Sequence, residues 1–296
     1  MRVFTATLIA AGRLTAHNLS DATERLAAAG CAPEAGAWID EGDAADIPFA
    51  HAMAAARSAL EDAFEGVDVV VQPGAAREKH LLIADMDSTM ITVECIDELA
   101  DYAGIKPQIA EITEAAMRGE LDFAAALDAR VALLKGLDAS AIDRCREERV
   151  QLMPGARTLV QTMRARGATA ILVSGGFTAF ADPVAQAIGF DRAIANTLVV
   201  ADGQLAGTVT KPIVDSATKE RTLRETRAAL GIPDVRTLAV GDGANDLAMI
   251  NIASLGVAYH AKPVVAAAAA ARIDHNDLTA LLWAQGIPRA EWVDAA

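Results

Sequence analysis

The stretch His80-Leu81-Leu82-Ile83-Ala84-Asp85-Met86-Asp87-Ser88-Thr89 joins a continuous apolar run to an acidic, polar segment. Uninterrupted apolar runs of this length are typical of strands that are buried on both faces of a parallel sheet. In open α/β sheets, ligands bind beyond the carboxyl ends of the strands. The stretch therefore predicts a buried strand that carries Asp85 and Asp87 to a ligand site at the edge of the sheet.

Two later strand-like runs end in similar polar loops. Thr169–Val173 leads into Ser174-Gly175-Gly176, and Arg236–Val240 leads into Gly241-Asp242-Gly243-Ala244-Asn245-Asp246. Alternation with helices predicts a parallel α/β sheet, and the predicted helices are Ala156–Arg166, Thr178–Ile188 and Lys219–Leu230. We therefore expect five side chains to converge although they are far apart in sequence: Asp85, Asp87, Ser174, Asp242 and Asp246.

Shorter elements complete this part of the chain. Leu255–Ala258 is a further strand candidate, and Asp202-Gly203 predicts a hairpin turn between two short strands. The run Ala266–Ala271 predicts a helix, because alanine has the highest helix propensity.

The convergent carboxylates indicate a metal site. Several carboxylates in one pocket repel each other, and some would be protonated unless a cation is bound. Oxygen ligands next to a phosphate favour Mg²⁺ over zinc. The five histidines are scattered and show no spacing typical of metal ligands.

Two regions depart from the strand–helix alternation. Residues 1–75 predict a small α+β unit, followed by a polar linker at Pro73–Lys79; its strands are Val3–Ile9, Ala35–Asp40 and Val67–Val71, and its helices Asn18–Ala29 and His51–Phe64. Residues from about 94 to 150 are rich in Glu, Ala and Leu with breaks at glycine, and they predict a helical cap inserted into a sheet domain of residues 76–296.

The composition argues against some classes of function. Among 296 residues, 26 Lys and Arg face 40 Asp and Glu, and the net charge of −14 argues against a general binder of nucleic acid or of anionic membranes. Three cysteines without a C-x-x-C pair make a disulfide framework improbable. No signal peptide or membrane-spanning stretch is evident, so we expect a soluble, cytoplasmic protein.

The motifs resemble a known family. Asp85-Met86-Asp87-Ser88-Thr89 is similar to the D-x-D-x-T signature of the haloacid dehalogenase-like phosphatases, and Ser174, Lys219 and the 241–246 loop match their other three motifs in order. The runs 85–98, 117–123, 174–177 and 259–263 look like bacterial phosphoserine phosphatases. The resemblance covers roughly residues 80–280. It implies a Rossmann-like core with a parallel sheet and an inserted helical cap.

The resemblance implies catalytic roles. Asp85 would be the nucleophile that forms an aspartyl-phosphate, and Asp87 the general acid and base. Asp85, the backbone carbonyl of Asp87 and Asp242 would hold Mg²⁺. Asp246 would either touch the metal directly or orient its water or Lys219, and the two alternatives stay open.

The resemblance also implies how substrate binds. Ser174, the Gly175 amide and Lys219 would contact the phosphate, with Lys211 as a weaker rival for the lysine. The remaining matches are substrate contacts or apolar cap positions: Glu94 for the ammonium, Arg130 for the carboxylate, Asn245 as a further contact, and Met117 and Phe123 as a shield.

The expected function is Mg²⁺-dependent hydrolysis of O-phospho-L-serine, the last step of L-serine biosynthesis. One alternative is a related phosphatase or phosphotransferase that acts on another small phosphorylated metabolite. The other is a silent sensor of phosphate metabolites, and the intact pair Asp85 and Asp87 argues against it. The N-terminal unit loosely resembles an ACT-type module whose missing strand would lie in a hairpin between Ala35 and Pro48, and it suggests a homodimer.

Overall fold

The computed structural model describes residues 4–117 and 120–293. The N-terminal unit is a four-stranded antiparallel sheet in the order β2-β3-β1-β4, covered by two helices. Its elements are β1 (Phe4–Ile9), α1 (Ala16–Ala28), β2 (Ala37–Asp40), β3 (Ala44–Phe49), α2 (Met53–Leu60) and β4 (Asp68–Pro73). This is the βαββαβ order of ferredoxin-like units. The fourth strand lies in the hairpin of β2 and β3, which overlaps the stretch from Ala35 to Pro48 and extends one residue past it.

The chain then enters the sheet domain through β5 (Leu81–Ala84) and leaves it at once for the cap. Four helices form the cap: α3 (Cys95–Tyr102), α4 (Lys106–Met117), α5 (Phe123–Leu133) and α6 (Ser140–Arg149). Asp122 caps α5, because its carboxylate accepts from the amide of Ala125 at 2.7 Å. These helices lie within the stretch of about 94–150 for which the sequence predicted a helical cap, and no strand occurs in its described residues.

The rest of the chain completes a six-stranded parallel sheet in the order β12-β11-β10-β5-β6-β7. The elements of this part of the chain are α7 (Ala156–Ala165), β6 (Thr169–Phe177), α8 (Thr178–Ile188), β7 (Arg192–Asn196), β8 (Leu198–Ala201), β9 (Gln204–Val209), α9 (Ser216–Ala229), β10 (Thr237–Gly241), α10 (Leu247–Ile252), β11 (Leu255–Tyr259), α11 (Pro263–Ala268), β12 (Ala271–Ile273) and α12 (Ala280–Ala284). The predicted α/β class is thus confirmed.

The central strand β5 is buried on both faces, as its apolar run predicted. Leu82 and Ala84 belong to the core on one face, while Leu81 and Ile83 belong to the core on the other. Helices α7 and α8 contribute to the first core, and α9 and α10 to the second. Such two-sided burial explains why β5 lacks the alternation of a half-exposed strand.

Two predictions near the sheet need correction. The predicted helix at Ala266–Ala271 is wrong at its end, because α11 stops at Ala268 and Ala271 begins the edge strand β12. The segment Ser174-Gly175-Gly176 is not a separate turn, since β6 runs on to Phe177 with an irregular register against β7. At Ala271, strand pairing with β11 outweighs the helix propensity of alanine.

The hairpin of β8 and β9 supports the cap. It turns at Asp202-Gly203, as predicted, and packs against α5. The amide of Gly136 donates to the carbonyl of Leu205 at 2.8 Å, and the amide of Leu205 donates to the carbonyl of Leu137 at 2.8 Å. These bonds tie the C-terminal half of the cap to the sheet domain.

The surface that joins the N-terminal unit to the sheet domain is partly apolar, because Ile9, Ala44 and Val70 belong to the same core as Leu82 and Ala84. It also contains polar contacts. Arg77 lies in the linker and donates to Asp46 and Thr7 on one side and to the carbonyl of Ala284 on the other. The two units have separate sheets and share this contact surface. The domain boundary at residue 75 stays a prediction.

Lys79 in the linker is almost fully buried, at 4% exposure. Its ammonium donates to the carbonyls of Ala76 and Val235 and to the hydroxyl of Ser254, and no carboxylate of the described residues pairs with it. Burial, followed by the charges of Arg236 and Arg77, lowers the pKa of Lys79 to about 8.

This lowered pKa makes stability depend on pH. Between about pH 8 and 10 the unfolded chain keeps the lysine proton that the folded chain has lost, so stability rises with pH. Relative to Lys79→Met, wild type is expected to gain up to about 3 kcal/mol of unfolding free energy across this window. Urea unfolding of both proteins at several pH values measures it. If the unfolding free energies of wild type and Lys79→Met change with pH in parallel, the prediction is contradicted. The control is Lys135→Met, a substitution of an exposed lysine.

No helix in the described part of the chain combines the length and the apolar character that crossing a lipid bilayer requires. All three cysteines lie within the described residues, where they are buried and unpaired.

Candidate active site

The carboxyl ends of β5, β6 and β10 meet at one edge of the sheet, beneath the cap. A cavity of about 150 Å³ opens there. Its lining includes eight of the ten predicted site residues: Asp85, Asp87, Glu94, Arg130, Ser174, Gly175, Asp242 and Asn245. The remaining two, Lys219 and Asp246, are buried and contact Asp85 directly or through each other. The structure thus brings all ten together.

Lys219 lies at the floor of the site, with 1% exposure. Its ammonium is 2.6 Å from Asp85 Oδ1 and 2.6 Å from Asp246 Oδ1. Asp215 caps α9 by accepting from the Thr218 amide at 2.8 Å, which places Lys219 in the first turn of the helix. Burial lowers the pKa of Lys219, but the two carboxylates outweigh burial and raise it, so the ammonium stays charged.

The rival Lys211 lies elsewhere. Its ammonium pairs with Asp128 of α5 at 2.7 Å, and both side chains are about half exposed. This ion pair joins the cap to the sheet domain, and neither of its residues is part of the cavity lining.

Three carboxylates form a cluster that could hold a metal ion. Oxygens of Asp85, Asp242 and Asp246 lie within 4.8 Å of one another. Thr89 donates to Asp242 Oδ1 at 3.2 Å, and the amide of Gly243 donates to Asp246 Oδ2 at 3.0 Å. Burial and the charge of Asp85 raise the pKa of Asp242 to about 6. Buried acids that repel each other, with oxygen donors only, fit a hard divalent cation.

Asp87 has the environment of an acid. Burial raises the pKa of Asp87 well above its ordinary value, and the negative charges of Glu94 and Asp85 raise it further. The amide of Cys95 approaches Asp87 Oδ1 at 3.4 Å, a long hydrogen bond that only partly offsets these effects. A buried carboxyl that holds its proton can donate that proton to a leaving group.

Two glycines after Ser174 leave room for the site. A Cβ on Gly176 would lie 2.9 Å from Asp87 Oδ2, and a Cβ on Gly175 would lie 3.0 Å from the ring of Phe123. The amide of Gly176 donates to Ser174 Oγ at 2.8 Å. Small residues here bring backbone and hydroxyl donors close to the nucleophile.

The cap contributes one face of α5. Phe123, Leu127 and Arg130 line the cavity at the helical spacing of i, i+4 and i+7. Arg130 is largely buried, and burial lowers its pKa against the opposing charges of Asp97 and Glu94. Met117 ends α4, its side chain lies outside the described residues, and so do residues 118 and 119.

Among the polar residues near the site, Ser88, Asn196 and Lys262 were assigned no role from the sequence. Ser88 adopts a left-handed conformation at φ 55° and donates to Glu94 Oε1 at 2.8 Å. Asn196 donates to the Gly175 carbonyl and accepts from the Val214 amide, each at 2.8 Å. Lys262 lines the cavity. The position of Ser88 next to Asp87 could have indicated from the sequence that it lies at the site, whereas Asn196 belongs to no motif.

Comparison with known proteins places this site in a family. The family model of the haloacid dehalogenase-like hydrolases matches residues 82–251, the segment that contains all ten predicted site residues. The chain is a haloacid dehalogenase-like hydrolase. A structure of a hydrolase of this family from Salmonella enterica serovar Typhi superimposes with a TM-score of 0.80 at 28% identity and covers 95% of this chain and 98% of its own.

Relatives within this hydrolase family carry a more specific name. A phosphoserine phosphatase of Streptomyces coelicolor is 50% identical over 240 residues, 80% of this chain and 58% of the relative. One of Polaromonas is 47% identical over 207 residues, 68% of this chain and 88% of the relative. The resemblance to bacterial phosphoserine phosphatases is therefore confirmed. The chain spans less than two thirds of the length of the Streptomyces relative.

Proposed function

We propose that this hydrolase cleaves O-phospho-L-serine to L-serine and phosphate. The observation that carries the proposal is the presence of both Glu94 and Arg130 in the lining of the cavity that contains Asp85. A carboxylate and a guanidinium match the ammonium and the carboxylate of an amino acid, while Asp85 faces the phosphate. The relatives named phosphoserine phosphatase support the same substrate.

The proposed reaction has two steps. The Asp85 carboxylate attacks phosphorus, the bond to the serine oxygen breaks, and the Asp87 proton goes to that oxygen. Water then attacks the aspartyl-phosphate while Asp87 takes its proton, which releases phosphate and restores both residues. Lys219 donates to Asp85 Oδ1 at 2.6 Å and orients the nucleophile. Ser174 Oγ and the Gly175 amide would bind the phosphoryl oxygens.

Asp85, Asp242 and the carbonyl of Asp87 are the proposed ligands of Mg²⁺. Bound there, the ion would offset the repulsion between the carboxylates and the phosphate and stabilise charge in the transition state. The position of Asp246 supports an indirect role, because one of its oxygens accepts from Lys219 and the other from the Gly243 amide.

Phosphate release tests the proposal. The protein is incubated with O-phospho-L-serine and Mg²⁺, beside p-nitrophenyl phosphate and a panel of sugar phosphates, with EDTA and Asp85→Asn as controls. Preferred release from phosphoserine that both controls abolish is the expected result. Activity on other compounds alone would make the chain a phosphatase of another metabolite. No release from any compound by folded, metal-loaded protein would favour a sensor.

Arg130→Ala separates substrate recognition from chemistry. We expect kcat/KM for O-phospho-L-serine to fall about a hundredfold, because a buried guanidinium–carboxylate bond contributes roughly 1.5–3 kcal/mol. Turnover of p-nitrophenyl phosphate, which has no carboxylate, should change much less. The matched control is Arg144→Ala in α6, whose guanidinium lies over the ring of Tyr102. Equal losses on both substrates would contradict the role of Arg130.

A further inference from the structure

The rim of the cavity holds a second cation besides Arg130. Lys262 is exposed and lines the cavity, and no ion pair to it occurs within residues 4–117 and 120–293. Its positive charge acts against the burial and the negative charges that raise the pKa of both Glu94 and Asp242, as a cation near these two carboxylates does. A cation without a carboxylate of its own, beside the proposed phosphate site, is available to a phosphoryl oxygen.

The loop that carries Lys262 is held by its backbone and by His260. The amide of Lys262 donates to the carbonyl of Asp242 at 3.1 Å. His260 adopts a left-handed conformation at φ 43°, which is uncommon outside glycine. Its amide donates to the carbonyl of Ile273 at 2.9 Å, and its ring Nε2 lies 3.1 Å from the carbonyl oxygen of Asn276. These contacts hold the turn two residues before Lys262.

Asn276 is in turn held by the N-terminal unit. Its side-chain amide donates to the carbonyl of Ile9 at 3.0 Å and to Asp68 Oδ2 at 2.8 Å. Its side-chain oxygen accepts from the amide of Ala11 at 3.0 Å. Asp68 also accepts from the backbone amides of Asp274 and Asn276. The N-terminal unit therefore satisfies every polar group of this buried side chain.

We propose that the N-terminal unit positions Lys262, through Asn276 and His260, to contact the phosphoryl group of the substrate. The inference rests on the proposed phosphatase activity. The N-terminal unit would then contribute to the reaction, because the contact between the Asn276 carbonyl and the His260 ring joins it to the turn that precedes Lys262. Asn276 and His260 are positioning residues, and Lys262 is the group that touches substrate.

A double-mutant cycle on the full chain tests this coupling. His260→Asn keeps a residue that tolerates the left-handed conformation but is too short to reach the carbonyl of Asn276. Lys262→Met removes the cation and keeps most of the stem. The control is Arg289→Ala, which breaks the contact of the sheet domain with Asp43 at another place on the same surface. KM, kcat and the melting temperature are measured with O-phospho-L-serine and with p-nitrophenyl phosphate.

We expect Lys262→Met to raise KM about tenfold on both substrates, with little change in kcat. His260→Asn should raise KM about threefold to fivefold without lowering the melting temperature appreciably. The double variant should be no worse than Lys262→Met alone, because His260 acts through the lysine. Arg289→Ala should leave KM unchanged.

Three results would overturn the proposal: an unchanged KM in Lys262→Met, an unchanged KM in His260→Asn, or additive effects in the double variant. A loss confined to O-phospho-L-serine would assign Lys262 to the carboxylate and would overturn the phosphoryl contact. Failure of the proposed substrate is distinguishable, because wild type would then hydrolyse p-nitrophenyl phosphate but not phosphoserine. The cycle would then be read with p-nitrophenyl phosphate.

Discussion

Asp85→Asn is expected to lower kcat for O-phospho-L-serine by about four orders of magnitude or more, since loss of a nucleophile removes the covalent route altogether. The amide has nearly the same shape and can still accept from Lys219, so the site should stay folded. Phosphate release measures the loss, and a burst of phosphoenzyme in rapidly quenched wild type should be absent from the variant. Loss of only tenfold would contradict a nucleophilic role for Asp85.

The same substitution should not destabilise the metal-free protein. Oxygens of the Asp85, Asp242 and Asp246 carboxylates lie within 4.8 Å of one another, and the buried Lys219 ammonium pairs with Asp85 and Asp246. Removing one negative charge relieves repulsion, so the melting temperature in EDTA should stay equal or rise. The matched control is Asp128→Asn, an exposed carboxylate that pairs with Lys211. It should leave both kcat and the melting temperature nearly unchanged. A large drop in the melting temperature of Asp85→Asn would mean that lost activity reports unfolding.

The sequence predicted those parts of the fold that depend on pattern. The apolar run before Asp85 predicted a strand buried on both faces, and β5 has cores on both. Asp202-Gly203 predicted a hairpin because its backbone conformation suits a tight turn. Such local signals act over a few residues, and no distant contact overrode them here.

Other elements depend on contacts that no local pattern carries. Arg192–Asn196 became the edge strand β7 only because it pairs with β6, and Ala271 became part of β12 because β11 lies beside it. The motifs, four of which occur in order, predicted residues that the fold brings together at one cavity. They could not predict Asn196 or His260, which act through hydrogen bonds across the fold.

Lys219→Met is expected to abolish most activity and to destabilise the fold. Lys219 is the cation that pairs with both Asp85 and Asp246, and all three side chains are buried. Without the ammonium, two carboxylates remain unpaired, a loss of about 3–5 kcal/mol in typical buried pairs. Urea unfolding in EDTA measures the loss. The control Lys211→Met breaks an exposed pair and should lower stability by at most about 1 kcal/mol.

A second substitution separates the two roles of Lys219. The double variant Lys219→Met/Asp246→Asn also removes the charge of Asp246, one of the two carboxylates that lost the ammonium. A good part of the lost stability should therefore return. Activity should not return, because nothing then orients Asp85 or neutralises it next to the phosphate. Recovery of stability together with activity would show that Lys219 serves only to compensate Asp246. Failure to recover stability would mean that the ammonium acts mainly through Asp85, whose carboxylate the double variant still leaves without its cation.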